Sequence, residues 1–237
     1  MRLRVVLADD HRLIREGLQA LLAREAGIEV VGLAEDGAEA VRLARQLTPD
    51  VLVTDITMPG LNGIEAVRRV RSHDPAVQAV CLSMHGDQRS VTAAIEAGAS
   101  GYVLKDASCE ELAQAVRSVA AGRLYLSPPL MGTLFDEVRA RRRGEPALAD
   151  AAPGASLTPR EREIVQLFAE DLSTQDIATR LNLSAKTVAT HRENITRKLG
   201  VRGVAGLTRY AVKEGISPAD VPLRSKQEGE RHAAVSV

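Results

Sequence analysis

Short apolar runs alternate with longer amphipathic stretches through the first half of the chain. The runs, of which Val5–Ala8 and Val51–Thr54 are examples, are rich in β-branched residues, as expected of strands that are buried on both faces of a sheet. Between the runs, apolar residues recur three and four positions apart, which is the spacing of an amphipathic helix. Five such strand–helix units lie between residues 1 and 122. This alternation predicts an α/β domain in which helices cover both faces of a parallel sheet.

The second half of the chain has a helical pattern only. Between residues 156 and 216 the apolar residues fall into four short helical segments. The first begins at Thr158–Glu161, where Thr, Pro and Glu stand in the order of a capping box with Pro at the first helical position. Two further helices, which begin at Ser173 and Ser184, are separated by a short turn. Two helices joined by such a turn predict a helix-turn-helix motif.

Residues 123–155 separate the two halves and differ from both in composition. Three apolar residues spaced four apart predict one linker helix after a Pro-Pro pair: Leu130, Leu134 and Val138. The Ala-, Pro- and Gly-rich stretch Ala147–Ala155 then predicts a flexible connector. Residues 217–237 contain two prolines and a charged stretch, which predicts a disordered tail.

Net charge separates the two predicted domains, although the whole chain carries 31 basic and 31 acidic residues. Residues 1–122 contain 13 Lys/Arg and 17 Asp/Glu, a net charge of −4, whereas residues 156–216 contain 10 and 7, a net charge of +3. This contrast indicates that the two domains bind different partners. No apolar stretch approaches the roughly 20 residues of a membrane span. The two cysteines form no disulfide framework, so a cytoplasmic protein that acts away from the membrane is expected.

Polar and charged residues end four of the predicted strands. They are Asp9 and Asp10, Asp55, Ser83 and Lys105. In an open α/β sheet these strand ends meet at one edge, where ligands bind. Carboxylates that lie close together need a hard cation, and two or three of them with room for water suit Mg²⁺. Singly, each residue is equally well explained as a helix cap or a surface residue. Together they predict a phosphoryl group on or near Asp55, because a carboxylate can attack phosphorus and a Lys can stabilise the phosphoryl oxygens.

Residues 1–122 resemble the receiver domain of response regulators. The stretch Asp55-Ile-Thr-Met-Pro-Gly-Leu-Asn-Gly63 matches that family's phosphoacceptor loop, and Asp9-Asp10 matches its acidic pair. The resemblance implies a flavodoxin-like, doubly wound sheet of five parallel strands in the order 2-1-3-4-5. It also implies that a sensor histidine kinase transfers a phosphoryl group from its phosphohistidine to Asp55.

The same resemblance implies a magnesium site around the phosphoacceptor. In the family's pattern, Asp10, Asp55 and the backbone carbonyl of Thr57 hold Mg²⁺ directly. Asp9 acts mostly through water. The chemistry implied is self-directed, because the domain accepts a phosphoryl group and slowly hydrolyses it, so an enzyme with an external substrate is not expected.

The resemblance also implies a switch beside the phosphoacceptor. Ser83 matches the family's Ser/Thr and Lys105 its lysine, and both are expected to engage the phosphoryl oxygens. Tyr102, three residues before Lys105, matches the switch aromatic, which is expected to turn inward behind Ser83. Independently of that role, a tyrosine on a strand is expected to be half-buried.

A haloacid-dehalogenase-like phosphatase is the competing enzyme interpretation, since it also uses an Asp nucleophile and Mg²⁺. The hallmark of that family is a second Asp two residues after the nucleophile. Here that position is Thr57, and the acidic pair lies on another strand. The sequence therefore favours the receiver.

The third helix of the second domain carries a polar, mostly basic face. With the helix-turn-helix at about 173–193, the candidate DNA contacts are Lys186, Thr187, Ala189, Thr190, Arg192, Glu193 and Arg197. A helix of this kind can lie in the major groove, where its side chains read base edges and its cations contact phosphates. The pattern alone leaves a small protein-interaction bundle equally open.

Three stretches resolve that choice by resemblance. Leu157–Glu163, Ser184–His191 and Arg197–Val201 closely resemble the LuxR-type helix-turn-helix. With the receiver, the chain resembles the NarL/FixJ class of response regulators. The resemblance implies double-stranded DNA as a partner and a homodimer that is paired through the last helix, at about Val204–Glu214.

Three positions depart from the family's pattern. Relatives often carry Lys where this chain has Ala189, and Glu193 adds an acid to the reading face. Glu193 can accept from a cytosine amino group or pair with Arg197 four residues on, and the second is favoured. Asp171 stands where a glycine often ends the preceding helix, a position that Asp tolerates better than most residues.

The sequence therefore predicts a DNA-binding transcriptional response regulator of a two-component system. Its expected partners are a sensor histidine kinase, DNA and a second copy of the chain, with RNA polymerase as a further candidate, and it is expected in the cytoplasm and on the nucleoid. Two other functions stay open: a DNA binder indifferent to phosphorylation, and an adaptor that binds only proteins.

Overall fold

The structure, a computed structural model, describes residues 2–84, 86–132, 157–214 and 216–217. One parallel sheet forms the centre of the first half. Its strands are β1 (Leu3–Ala8), β2 (Ile28–Ala34), β3 (Val51–Asp55), β4 (Gln78–Ser83), β5 (Gly101–Leu104) and β6 (Tyr125–Leu126). They lie in the order β2-β1-β3-β4-β5-β6, and every neighbouring pair is parallel.

The predicted order of the first five strands is confirmed, but the predicted count of five strands is wrong. After Gly122, which has a φ of 75°, the chain turns back and adds β6 to the outer edge of β5. A strand of two residues is too short to show a periodic pattern, so the sequence gives no signal for it. A single 3₁₀ turn, Pro128–Leu130, follows β6.

Five helices cover the two faces of the sheet. They are α1 (Arg12–Leu22), α2 (Gly37–Leu47), α3 (Gly63–His73), α4 (Gln88–Glu96) and α5 (Cys109–Ala120). Alternate residues of β1 enter opposite cores, because side chains alternate across a strand. Val6 and Ala8 pack with α2, α3 and α4, whereas Val5 and Leu7 pack with α5. Both faces are therefore buried, and only the strand ends are open to chemistry.

Four helices form the second domain. They are α6 (Pro159–Ala169), α7 (Thr174–Arg180), α8 (Ala185–Leu199) and α9 (Gly203–Lys213). They enclose their own aliphatic core, which includes Ile164, Ile177 and Ile195 at 0% exposure. The capping box at Thr158 is confirmed, since its side chain and that of Glu161 each accept from the other's backbone N–H. Asp171 has a φ of 60°, the left-handed conformation expected where relatives carry glycine.

Some predictions concern residues beyond the described ranges. Leu130 lies in the 3₁₀ turn, while Leu134 and Val138 of the predicted linker helix lie outside those ranges, as do the connector and residues 218–237 of the predicted tail. Among the described helices, none has both the length and the apolar composition needed to cross a bilayer.

Candidate functional site

Three strand ends bring two buried carboxylates and one ammonium group together. Asp9 follows β1, Asp55 ends β3 and Lys105 follows β5. Lys105 Nζ lies 2.8 Å from Asp9 Oδ2 and 2.7 Å from Asp55 Oδ2. Asp9 is 0% exposed and Asp55 is 3% exposed, so the surrounding protein rather than water must balance their charge. The sequence prediction that these ends converge is confirmed for these three residues.

The electrostatics of this cluster show an excess of negative charge. Burial raises the pKa of the Asp55 carboxyl, and the ion pair with Lys105 does not fully offset it. Burial alone would lower the pKa of Lys105, but Asp55 and Asp9 outweigh it, so its pKa also lies above the ordinary value. The two shifts have different causes, burial for Asp55 and the two carboxylate partners for Lys105. By count, one ammonium group serves two buried carboxylates, so the site gains from binding further positive charge.

Asp10 and His11 extend the cluster towards solvent. Asp9, Asp10, His11 and Asp55 each offer a ligand atom within 4.8 Å of the others. His11 Nδ1 lies 2.9 Å from Asp10 Oδ1, and the His11 backbone N–H donates to Asp9 Oδ1 at 2.8 Å. Two or three carboxylate oxygens around an open position, with net negative charge, fit the oxygen ligands and retained waters of Mg²⁺. Such an acidic cluster is typical of Mg²⁺ binding.

The loop after β3 is held close to Asp55. The Thr57 backbone N–H donates to Asp55 Oδ1 at 3.1 Å, while the Thr57 side chain is exposed. Asn62 caps α3 by accepting from the Glu65 N–H at 2.9 Å. At Gly63 a Cβ would collide with the Asp55 carbonyl oxygen, so only glycine lets the first turn of α3 approach the strand end this closely.

Ser83 and Tyr102 lie on the neighbouring strands β4 and β5. Ser83 is 4% exposed and Tyr102 is 2% exposed. Burial raises the pKa of the Tyr102 hydroxyl, which is hydrogen-bonded to the side chains of Ser83 and Ser90. The tyrosine is therefore fully inward, more deeply buried than the half-buried position expected of an ordinary strand aromatic. The Lys105 N–H donates to the Ser83 carbonyl at 2.8 Å, which ties the serine to the lysine.

The recognition face predicted in the second domain lies on α8. Five of its seven residues are exposed: Lys186, Thr187, Thr190, Glu193 and Arg197. Ala189 and Arg192 are half-buried, and the Arg192 guanidinium lies 6.0 Å from the centre of the Phe168 ring. Arg197 donates to Asn194 Oδ1 at 3.3 Å rather than pairing with Glu193. Glu193 thus stays free of the favoured ion pair in the described structure.

Helix α6 contacts the loop after Asp55 directly, through residues that the sequence analysis missed. Gln166, 2% exposed, donates to the Met58 carbonyl at 2.9 Å and accepts from the Asn62 N–H at 3.3 Å. Glu170 accepts from the Gly60 N–H at 2.9 Å. The available signal was Gln166 itself, a polar residue inside the apolar run Ile164–Phe168.

Two further polar contacts join the first domain to the second. Arg69 of α3 donates to Glu163 Oε2 at 3.0 Å, and the Asn62 side chain donates to the Ile216 carbonyl at 3.2 Å. Together with the contacts of Gln166 and Glu170, these contacts link α3 and the loop before it to the second domain. The loop that follows Asp55 is therefore in contact with both domains.

Comparison with known proteins identifies the family. Residues 5–117 match the family model for the response regulator receiver domain, and residues 155–211 match that for bacterial regulatory proteins of the luxR family. The transcriptional regulatory protein MctR of Rhizobium johnstonii is 38% identical over 215 residues, which cover 91% of this chain and 95% of MctR. The chain belongs to the LuxR/NarL-type response regulators. LiaR of Bacillus subtilis is 41% identical over 211 residues, which cover 88% of this chain and 96% of LiaR.

Solved structures of a related response regulator include DNA complexes. RcsB of Salmonella enterica serovar Typhimurium, bound to promoter rprA in the presence of the phosphomimetic BeF₃⁻, has a TM-score of 0.57 at 26% identity, covering 89% of this chain and 98% of RcsB. Another structure holds two RcsB dimers bound to two parallel DNAs, with a TM-score of 0.55 at 26% identity and coverage of 90% and 99%. The two family matches and the similarity to MctR show that the present chain is a two-component transcription regulator with a LuxR-type DNA-binding domain.

The buried charge of Asp55 predicts a stability gain when it is removed. Because the pKa is raised in the folded state, the folded protein binds a proton more tightly than the unfolded chain, so the contribution of Asp55 to stability falls as pH rises from the ordinary carboxyl pKa through the raised one. We expect Asp55→Asn to raise the melting temperature at pH 7 and to lose this advantage towards pH 4, measured by thermal denaturation.

The matched control is Glu29→Gln, which removes the same charge from an exposed position on β2 and is expected to change the melting temperature little at either pH. A lower melting temperature for Asp55→Asn at pH 7, or a gain that is independent of pH, would contradict the assigned electrostatics.

Proposed function

We propose that this response regulator accepts a phosphoryl group on Asp55 from a sensor histidine kinase, and that the phosphorylated form binds promoter DNA as a homodimer. The observation that carries the proposal is the position of the Lys105 ammonium between the carboxylates of Asp9 and Asp55. A carboxylate at the open end of a strand, beside a fixed cation, is suited to receive an anionic group.

The proposed transfer is a direct displacement at phosphorus. An Asp55 carboxylate oxygen forms the new bond to phosphorus while the phosphorus–nitrogen bond of the kinase's phosphohistidine breaks. The electron pair of that bond stays on the imidazole nitrogen, which takes up a proton. Lys105 then balances charge on the phosphoryl oxygens, and the Ser83 hydroxyl donates a hydrogen bond to one of them.

Four residues are proposed to serve the metal. Asp10, Asp55 and the carbonyl of Thr57 would hold Mg²⁺ directly, and Asp9 would act mostly through water. When bound, the metal would neutralise charge on the transferring oxygens. The excess negative charge of the cluster and its oxygen donors support this assignment.

The proposed chemistry is self-directed. A phosphatase of the haloacid dehalogenase type would need an acid where Thr57 stands, and the Thr57 side chain is an exposed hydroxyl that does not ionise at neutral pH. Water is then expected to hydrolyse the phosphoryl–Asp55 slowly, without turnover of an external substrate. The proposed outcome of the reaction is a change of conformation in the protein rather than a released product.

We propose that the resting protein is restrained through α6 rather than by covering the recognition helix. Gln166 and Glu170 bind the phosphoacceptor loop, while Lys186 and Arg197 on α8 stay exposed. Phosphorylation at Asp55 would shift the balance between docked and released domains, because Met58, which accepts from Gln166, lies three residues after Asp55 in the same loop. Release would let two DNA-binding domains take up the spacing of a two-fold site.

The surface of α9 supports a dimer. Val204 and Val212 are both 37% exposed, which leaves apolar side chains for a second copy to cover. The structure of RcsB dimers bound to DNA supports a dimer on DNA. RNA polymerase is a further proposed partner, and the cytoplasm with its nucleoid is the proposed location because DNA is the proposed target.

Phosphorylation of Asp55 is testable with a small-molecule donor. Acetyl phosphate and Mg²⁺ should label the wild-type chain at one site, followed by intact-protein mass spectrometry and a Phos-tag gel, and Asp55→Asn should remove the label. Asp50→Asn, in the loop before β3, is the matched control and should label like the wild type. Equal labelling of the wild type and Asp55→Asn would contradict the assignment of Asp55 as the phosphorylated residue.

DNA binding is testable on fragments that the wild-type protein selects from sheared genomic DNA. Lys186→Ala should weaken binding and reduce the slope of log K against log [salt] by about 1, because one phosphate contact is lost. Arg42→Ala, an equal loss of charge on α2 of the receiver, should leave both unchanged. Unchanged affinity and slope for Lys186→Ala would show that the recognition face is misplaced, and failure to select any DNA would favour a protein-binding adaptor.

A further inference from the structure

The short strand β6 and the turn after it are joined to the residues of the phosphoryl site at three points. The first is main-chain pairing beside the switch tyrosine. Tyr102 lies opposite Leu126 in the β5–β6 pair, and the Ser127 N–H donates to the Tyr102 carbonyl at 3.0 Å. The segment Tyr125–Leu130 therefore holds the outer edge of β5 where the strand approaches Lys105.

The second point is the side chain of Ser127, which is 1% exposed. Its hydroxyl oxygen accepts from the Leu104 N–H at 3.2 Å and donates to the Glu111 carboxylate of α5. Leu104 directly precedes Lys105, whose own N–H is held by the Ser83 carbonyl at 2.8 Å. Two successive amides at the end of β5 are thus fixed from opposite sides, one by Ser83 and one by Ser127.

The third point is Leu130, which is 4% exposed and packs in the same core cluster as Tyr102. Its Cδ2 atom occupies the space that a Cβ at Gly86 would need. Gly86 belongs to the loop that follows Ser83, so Leu130 bears directly on the backbone that carries the serine. Leu124, in contrast, is 84% exposed although it lies in the same stretch of chain.

We infer that Tyr125–Leu130 positions the phosphoryl site, with Ser127 holding the lysine end of β5 and Leu130 holding the loop that follows Ser83. Because the chain runs on from Leu130 to the DNA-binding domain, the same segment is the first part of the linker to sense a movement of Ser83 towards a phosphoryl oxygen. The inference rests on the proposed phosphorylation of Asp55. Ser127 and Leu130 are positioning residues, since they act through Lys105 and Ser83.

The test compares Leu130→Ala with Leu124→Ala in the full chain, phosphorylated with acetyl phosphate and Mg²⁺. Leu130→Ala should shorten the half-life of phosphoryl–Asp55 about threefold or more, because a loosened loop after Ser83 gives water easier access to the phosphoryl group. Leu124→Ala should match the wild type, and Leu130→Met, of similar volume, should restore the wild-type half-life. Ser127→Ala gives a second variant with the same expected direction should Leu130→Ala fold poorly.

A double-mutant cycle tests the contact itself. Gly86→Ala should shorten the half-life as well, because the added methyl group displaces Leu130. Gly86→Ala combined with Leu130→Ala should fall short of the product of the two single effects, since Leu130→Ala makes room for the added methyl group, which fills part of the space that Leu130 leaves. Simple multiplication of the two effects would overturn the role of Leu130 at the Gly86 loop.

Two results separate this inference from the proposed function. If the wild type is labelled and Leu130→Ala and Ser127→Ala keep the wild-type half-life while their melting temperatures fall, the segment is merely structural and the inference fails alone. If the wild type takes up no label at Asp55, the proposed function fails, and the inference fails with it.

Discussion

The ion pairs of Lys105 with Asp9 and Asp55 are the constraint on which the rest of the site depends. They connect the carboxyl ends of β1, β3 and β5 at one edge of the sheet, with Nζ–Oδ2 distances of 2.8 and 2.7 Å. One cation for two buried carboxylates leaves the cluster short of positive charge. Under the proposed function, a metal ion would relieve that shortage, and an incoming phosphoryl group would find the Lys105 ammonium already in place. Buried charge that costs stability is thus retained at the position where chemistry needs it.

Two segments from outside the central sheet bear on this cluster from different sides. Helix α6 holds the loop after Asp55 through Gln166 and Glu170, and the start of the linker holds the end of β5 and the loop after Ser83 through Ser127 and Leu130. Helix α6 belongs to the DNA-binding domain, and the linker is the chain that leads to it. Under the proposed function, a small change at Asp55 would therefore meet one packed contact with the DNA-binding domain and one with the start of the linker, and such contacts can couple distant sites.

The sequence predicted what local pattern and topology determine together. Asp9, Asp55 and Lys105 could be placed at one edge because each follows a clear apolar run and parallel strands end on the same side of a sheet. The left-handed Asp171 could be anticipated because a helix end imposes its own backbone geometry. Strand β6 could not be predicted, since a strand of two residues is too short to show the alternation of apolar and polar positions. The contacts of Gln166 could not be predicted either. A glutamine inside an apolar run indicates that a polar group lies opposite it, but it does not indicate which element supplies that group.

Hydrogen exchange measured with BeF₃⁻ and Mg²⁺ tests the central claim, that chemistry at Asp55 is felt in the DNA-binding domain, without a known DNA sequence. In the wild type, the added phosphoryl analogue should change exchange in residues 58–62 and, beyond the receiver, should increase it in residues 157–170, which contain α6. Asp55→Asn should show neither change. If exchange in the wild type changes within the receiver while residues 157–170 stay as they were, the two domains are uncoupled, which contradicts the proposed restraint through α6.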